Sequence, residues 1–517
     1  MKDLGEAVVL DNGVIRITIT KATGGVEQLI YLRKPEAGSL VDHAYWDWNG
    51  TGGYERFGRF GRYSYELIRH DNELVEVSFR REYDGRGLPI DVDVRYVLRS
   101  GDSGVYVFAI YRHKASYPPA EIGQTRQVWR LSRPVFDWMA VDDARQRVMP
   151  NAADLRGAVQ LGPREVEQIT HGRFKGQIIH KYDWSVIEGL SQVHGWASTE
   201  HNIGIWMVSA SDEYLTGGPT KQNLSSHAVA IMLKMLHSGH YGSGGGLNLS
   251  EDWTKMYGPF MVYVNSGGDN KALWEGAKAK AEAEAKLWPY QWMRHQHYPL
   301  AGERGTVRGR LTVKDPQDPA ASSGGAWVGL AAPEEQDINW QKQAKGYQFW
   351  ARADRDGNFE IPNVRPGNYT MYAFVKGVMD EYRKDGIKVA AGGNIDMGEV
   401  VWAPKRYGKE IWQIGIADRT AAEFRHGEKW YQHGLPKLYP QDFPNEVNYV
   451  VGKSDWRKDW NYGHVHYQRD GEWVAPTWKI NFEMAEETSG QAVLRFGIAS
   501  ARQASVRVSV NGHQVGW

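Results

Sequence analysis

The sequence predicts an all-β, multidomain protein, and three observations carry that prediction. Apolar and polar residues alternate at period two in many short stretches, as half-buried strands require. Turn residues punctuate them, with 58 Gly and 21 Pro among 517 residues. At roughly 100–200 residues per domain, that length suggests two to four domains.

The alternation begins at once. In VIRITIT (14–20), Ile15, Ile17 and Ile19 alternate with Arg16, Thr18 and Thr20, after a DNG turn at 11–13. VEVSFRREY (75–83) sets Val75, Val77 and Phe79 against Glu76, Ser78 and Arg80. DVDVRYVLRSGDSGVYVFAIYR (91–112) reads as two strands around a Gly/Asp/Ser turn, and the pattern runs to about residue 264. Antiparallel sheets with one buried face are expected.

One segment breaks the rule. DNKALWEGAKAKAEAEAKLW (269–288) is rich in Ala, Glu and Lys. Asp269 can cap a helix there, Glu282 and Lys286 stand four apart, and Pro289 ends the run. This helix closes a first domain, residues 1–290. Strands resume at TVRGRLTVKD (306–315), and DRDGNFEIPNVRPGNYTMYAFVKG (354–377) carries turns at Asp356-Gly357 and Pro366-Gly367. Residues 291–402 read as a small β-sandwich, fibronectin type III-like. A third unit, 403–517, ends in the alternating stretches QAVLRFGIA and ASVRVSVNG. A further β-sandwich is expected, short for an eight-stranded jelly roll and so read as truncated.

Composition narrows the function. Lys+Arg and Asp+Glu are equal at 62 each, giving no long-range pull toward nucleic acid or an anionic membrane. No run of about 18 apolar residues predicts a membrane span. The start, MKDLGEAVVL, does not read as a secretory signal peptide. With no cysteine, thiol nucleophiles and cysteine zinc sites are excluded. The 22 Trp and 27 Tyr suit sugar rings as well as protein cores.

Three histidine pairs invite a metal reading. His237 and His240 lie three apart, so on a strand they point to opposite faces and do not chelate. The pairs in HVH (464–466) and HQH (295–297) would share a strand face, and surface histidines are the simpler reading. In GQTRQVWRL (123–131), Arg126 shares a face with Val128 and Arg130. In IIHKYDWS (178–185), read as a strand, Lys181 shares one with Ile179 and Asp183. Snorkelling or ion pairing explains such cations; the sharper alternative is a cationic cleft.

Those stretches, followed by VHGW (193–196), GGPTKQNLSSH (217–227), SGHY (238–241) and YGPFMVYVN (257–265), resemble the rhamnogalacturonan lyases of polysaccharide lyase family 4. The likeness continues through EIWQIGIADRTAAEFRHG (410–427) and YVVGKSDWRKDW (449–460). It implies a large antiparallel β-sandwich (super-sandwich) catalytic domain, then a fibronectin type III-like domain, then a jelly-roll carbohydrate-binding-like domain. It implies β-elimination on the alternating rhamnose–galacturonate backbone of pectin, rhamnogalacturonan I, leaving a 4,5-unsaturated galacturonate.

By the same resemblance Lys181 is the base, His240 the acid, and Arg126 a carboxylate-binding or charge-neutralising residue. Tyr241, beside His240, either stacks on or hydrogen-bonds a sugar or packs as a core tyrosine. Arg126 near Lys181 would favour the neutral amine a base needs. Where relatives carry aromatic residues before the acid, this chain has Leu233 and Met235. No cofactor is required; the resemblance leaves room for a structural calcium ion with ligands unknown. A monomer acting on a polysaccharide outside the cell is expected, with neither nucleic acid nor membrane as partner. Two alternatives are a glycoside hydrolase using carboxylates such as Asp183 or Glu251, and a non-catalytic carbohydrate-binding protein.

Overall fold

The structure is a computed structural model describing residues 1–56, 63–161, 165–239, 241, 247–335, 338–429, 435–484, 489–498 and 505–516. Two antiparallel sheets, of ten and nine strands among the described residues, face each other in the first domain. At the heart of the ten-stranded sheet, Ala120–Leu131 runs between Val41–Gly50 and Ile231–Ser238. In the other, Gly104–His113 lies between Asp91–Arg99 and Trp253–Ser266.

Period-two alternation builds the space between them. Ile15, Ile17, Ile19, Trp46, Trp48 and Trp129 come from one sheet. Val77, Phe79, Val94, Tyr96, Val107 and Tyr111 meet them from the other. The strands predicted at 14–20, 75–83 and 91–112 form as Ile15–Thr20, Leu74–Arg81, Asp91–Arg99 and Gly104–His113.

The outer face of the nine-stranded sheet is also apolar, and the helix covers it. Asn270–Leu287 lays Leu273, Trp274, Ala277 and Ala281 on Val97, Tyr106, Phe108 and Met261. Asp269 caps it by accepting from the Ala272 N–H at 2.9 Å. The i,i+4 ion pair it makes is Lys280–Glu284 at 2.6 Å, not Glu282–Lys286. Glu284 sits on the packed side, where the Tyr290 hydroxyl donates to it at 2.6 Å.

Among its described residues the second unit has seven strands, in a three-stranded and a four-stranded sheet. Its closing strand, Asn394–Trp402, pairs in parallel with its first, Gly305–Val313. Both faces of Gly367–Phe374 are buried: Tyr369, Met371 and Ala373 face the core, while Trp340 stacks on Phe374 at 5.6 Å. The first two units are joined by buried polar contacts. Glu213 meets Arg304 at 2.6 Å and Arg365 at 2.7 Å. Lys255 donates to the Ala344 carbonyl at 2.8 Å.

In the third unit one predicted strand does not form. Among its described residues are three two-stranded pairs and the helices Leu435–Asp442 and Trp456–Asp459. A small aromatic cluster of Tyr439, Phe443, Tyr467 and Trp478 joins the first helix to the strands at 467–469 and 478–481. Residues 491–498, predicted as a strand, adopt no strand and leave Val493, Leu494, Phe496 and Ile498 exposed. Alternation marks one face for burial but does not supply the neighbour whose N–H and C=O groups must pair. Neither HVH nor HQH lies on a strand. His464 packs on Trp478, and His295 packs on Phe108 of the first domain. No helix among the described residues is long and apolar enough to cross a membrane.

Candidate functional site

Alternation also sorts the outer face of the ten-stranded sheet. On Val41–Gly50, Trp46 and Trp48 point into the core, which leaves Tyr45 and Asp47 on the far side. On Ala120–Leu131, Trp129 points inward and Arg126, Val128 and Arg130 outward.

Arg126 and Asp47 are register partners, and a twofold ion pair joins them. Nε lies 2.8 Å from Oδ1 and Nη2 3.1 Å from Oδ2. Burial opposes the guanidinium's charge, but the Asp47 carboxylate outweighs it and raises the Arg126 pKa. The Tyr54 hydroxyl donates to Asp47 Oδ2 at 3.0 Å. Burial and the Asp47 charge push Tyr54 up to about 12, so it stays a donor. Asp47 therefore occupies one edge of the fork, and Nη1 makes no hydrogen bond with the described residues.

Lys181 is not on a strand. The ladder ends at His180, and Lys181–Asp183 forms a 3-10 turn, so Lys181 does not share a strand face with Ile179 and Asp183. Its Nζ lies 3.1 Å from Glu165 Oε1 and 5.3 Å from the centroid of the Tyr182 ring. Tyr182 in turn packs in a cluster with Tyr45, Val128, Leu224 and Leu233. Since Val128 stands two residues from Arg126 on the same face, the Lys181 turn lies over that face.

His240 lies outside the described residues, as does the glycine-rich stretch 242–246. Its two chain neighbours are described. The Gly239 N–H donates to the Gly123 carbonyl at 3.3 Å, on the Arg126 strand. The Tyr241 hydroxyl donates to the Tyr182 carbonyl at 2.9 Å, in the Lys181 turn. Tyr241 packs edge-on against Tyr182, with ring centroids 6.0 Å apart, and burial raises its pKa. Leu233 and Met235 are buried. His237 is buried as well, with Nδ1 3.4 Å from Thr216 Oγ1.

Sequence reasoning passed over His227, Asp47 and Glu165. Burial, with Lys181 and Arg130 nearby, pushes the His227 imidazole down to about 4. Its Nδ1 is buried without a hydrogen-bond partner among the described residues. Asp47 was legible: in HAYWDWNG it is the one carboxylate on the face opposite Trp46 and Trp48. Glu165 comes from a different hairpin, and no local signal pairs it with Lys181.

Glu251 sits elsewhere. Burial works against its charge, yet Lys345 at 2.6 Å and backbone N–H groups hold its carboxyl down to about 2. Among the described residues, no group of three or more His, Asp or Glu side chains is placed to hold a metal ion.

Three family models match the chain. The rhamnogalacturonate lyase family matches residues 2–172. Domains II and III of polysaccharide lyase family 4 match 323–397 and 410–516. The chain belongs to polysaccharide lyase family 4. One family relative is the rhamnogalacturonate lyase of Dickeya dadantii, 29% identical over 79% of this chain and 64% of its own length. Rhamnogalacturonate lyase B of Emericella nidulans is 24% identical over 98% of this chain and 81% of its own. The chain thus spans somewhat under two thirds of the Dickeya family member. A galactose mutarotase-like protein from Lactobacillus casei aligns with 50% of this chain and all of its own, at 10% identity and a TM-score of 0.30.

Proposed function

We propose that this chain is a rhamnogalacturonan lyase, cleaving the rhamnose–galacturonate backbone by β-elimination. One observation carries the reading. Arg126 and the Lys181 turn share a sheet face, and both chain neighbours of His240 are bonded to them, at Gly123 and Tyr182.

Elimination must remove the proton from C5 of galacturonate, beside its carboxylate. The carbanion formed there would place a second negative charge next to the first. A cation offsets that charge, a base takes the proton, and an acid assists the departing oxygen at C4. Arg126 supplies the cation, through the guanidinium nitrogen that Asp47 leaves open. Lys181 takes the proton as a neutral amine, which requires it to part from Glu165. His240 donates to the leaving oxygen, and an imidazole titrates in the range that allows this. Correct placement of each proton-transfer group contributes about 10²–10⁴-fold.

The polymer lies outside cells, so the protein acts after export. Glu251, which its ion pair with Lys345 keeps ionised, does not suit the general-acid role that a hydrolase needs.

The deciding assay incubates the protein with debranched rhamnogalacturonan I and, separately, homogalacturonan. Absorbance at roughly 235 nm, from the conjugated double bond, should rise only with the first. Lys181→Ala and His240→Ala should each remove most of that signal. Cleavage without the absorbance would make the protein a hydrolase.

A further inference from the structure

A cavity of about 540 Å³, lined largely by charged residues, lies on the side of the first domain opposite Arg126. That volume is in the range of small-molecule sites. Its floor is the outer face of the nine-stranded sheet. Along Gly104–His113, Tyr106, Phe108 and Ile110 face outward and Val107, Ala109 and Tyr111 inward, so Arg112 continues the outward row. Its wall is His295–His297, in the segment joining the first two units. Both sheets separate it from Arg126.

Most charges in the cavity are already paired. Asp93 binds Arg80 and Arg95, at 3.2 and 2.9 Å. Asp91 binds Lys114 at 3.0 Å and accepts from the Tyr117 hydroxyl at 2.7 Å. Three groups are left over. The exposed Arg112 guanidinium makes no ion pair or hydrogen bond with the described residues, nor does the Glu82 carboxylate. Asp252 uses Oδ1 to accept from the Ala115 N–H at 3.0 Å, leaving its second oxygen.

His295 adds a donor of fixed identity. Its Nδ1 accepts from the His297 N–H at 3.2 Å, so the neutral ring carries its proton on Nε2. Burial and the neighbouring Arg95 push the imidazole down to about 4, keeping it neutral at ordinary pH.

One guanidinium matches one carboxylate through two parallel hydrogen bonds. Two carboxylates with free oxygens accept from hydroxyl groups and repel a polyanion. A neutral imidazole N–H donates to a hydroxyl or ring oxygen. We propose that this cavity binds a single uronic acid unit, its carboxylate on Arg112 and its hydroxyls on Glu82, Asp252 and His295.

The test uses the full chain and D-galacturonate, with its methyl ester, D-galactose and inorganic phosphate as comparisons. The galacturonate probe follows from the proposed substrate, but the readout is binding without turnover, so it stands or falls apart from lyase activity. The His295 ring signal in a nitrogen-15 NMR spectrum is assigned by its loss in His295→Gln. Galacturonate should shift it saturably, with the same affinity in Lys181→Ala. The ester, galactose and phosphate should bind at least about tenfold more weakly, and Arg112→Ala should lose as much. Arg112 is exposed, so its removal should leave folding intact; Arg112→Lys, keeping charge but not the fork, should weaken binding too. Absence of any His295 shift, equal binding of galactose, or unchanged affinity in both Arg112 variants would each overturn the proposal.

Discussion

The Tyr241 hydroxyl donates to the Tyr182 carbonyl at 2.9 Å, tying the residue after His240 to the residue after Lys181. That hydroxyl holds together two segments that are 59 residues apart in sequence. Removing it in Tyr241→Phe keeps the ring packing and deletes one hydrogen bond, worth ~1 kcal/mol net. Thermal stability should change little, while kcat should fall about tenfold and KM less, because orientation of acid and base is lost. Steady-state rates on rhamnogalacturonan I check this; unchanged kcat would show that the tie does not position Lys181.

Asp47 is buried, and among the described residues its counter-charge is Arg126, with a hydrogen bond from Tyr54. Asp47→Asn removes the charge that holds the guanidinium in place. Breaking one side of a buried pair costs roughly 3 kcal/mol. Urea unfolding should show that loss, and KM should rise as Arg126 loses its fixed direction. Wild-type stability in this variant would mean that the pair contributes nothing net.

Glu213 joins two domains by accepting from both Arg304 and Arg365. Glu213→Gln leaves two guanidinium groups facing each other without a counter-charge, at a cost of roughly 3–5 kcal/mol. Calorimetry should then resolve two transitions where the wild type shows a more cooperative one. A single unshifted transition would show that the domains are coupled by other contacts.

Acid should destabilise the fold before most carboxylates titrate. Burial, with Lys234 adding to it, pushes His194 down to about 3, while His227 and His295 fall to about 4. Between pH 6.5 and about 4 the unfolded chain binds more protons at these rings than the native chain. Stability is therefore full above 6.5 and is lost as pH falls. Asp212, pushed up to about 7 by burial, opposes them with one proton. His194→Gln should flatten the decline between pH 6 and 5 by ~1.4 kcal/mol per pH unit. Urea midpoints at the two pH values decide it, and an unchanged slope would remove His194 from the account.

Much of the first domain was legible because its strands obey a local rule. Ile15, Val77 and Val94 face the core where period two puts them. The same rule placed Arg126 outward and hinted at Asp47. It failed at Lys181, where the chain leaves the ladder for a 3-10 turn. It failed again at 491–498, where alternation is present and no strand forms. In both places a neighbouring segment decides, and the residues themselves carry no record of it.

By itself the sequence determined the all-β character, the closing helix and its Asp269 cap, and which side of each core strand is apolar. These depend on side-chain period and local hydrogen bonds. Only the tertiary structure decided that Asp47 fills half of the Arg126 fork, that Glu165 pairs with Lys181, and that His295 walls a cavity on the first domain. Those contacts join residues far apart in the chain, and electrostatic pairing follows distance in space rather than distance in sequence.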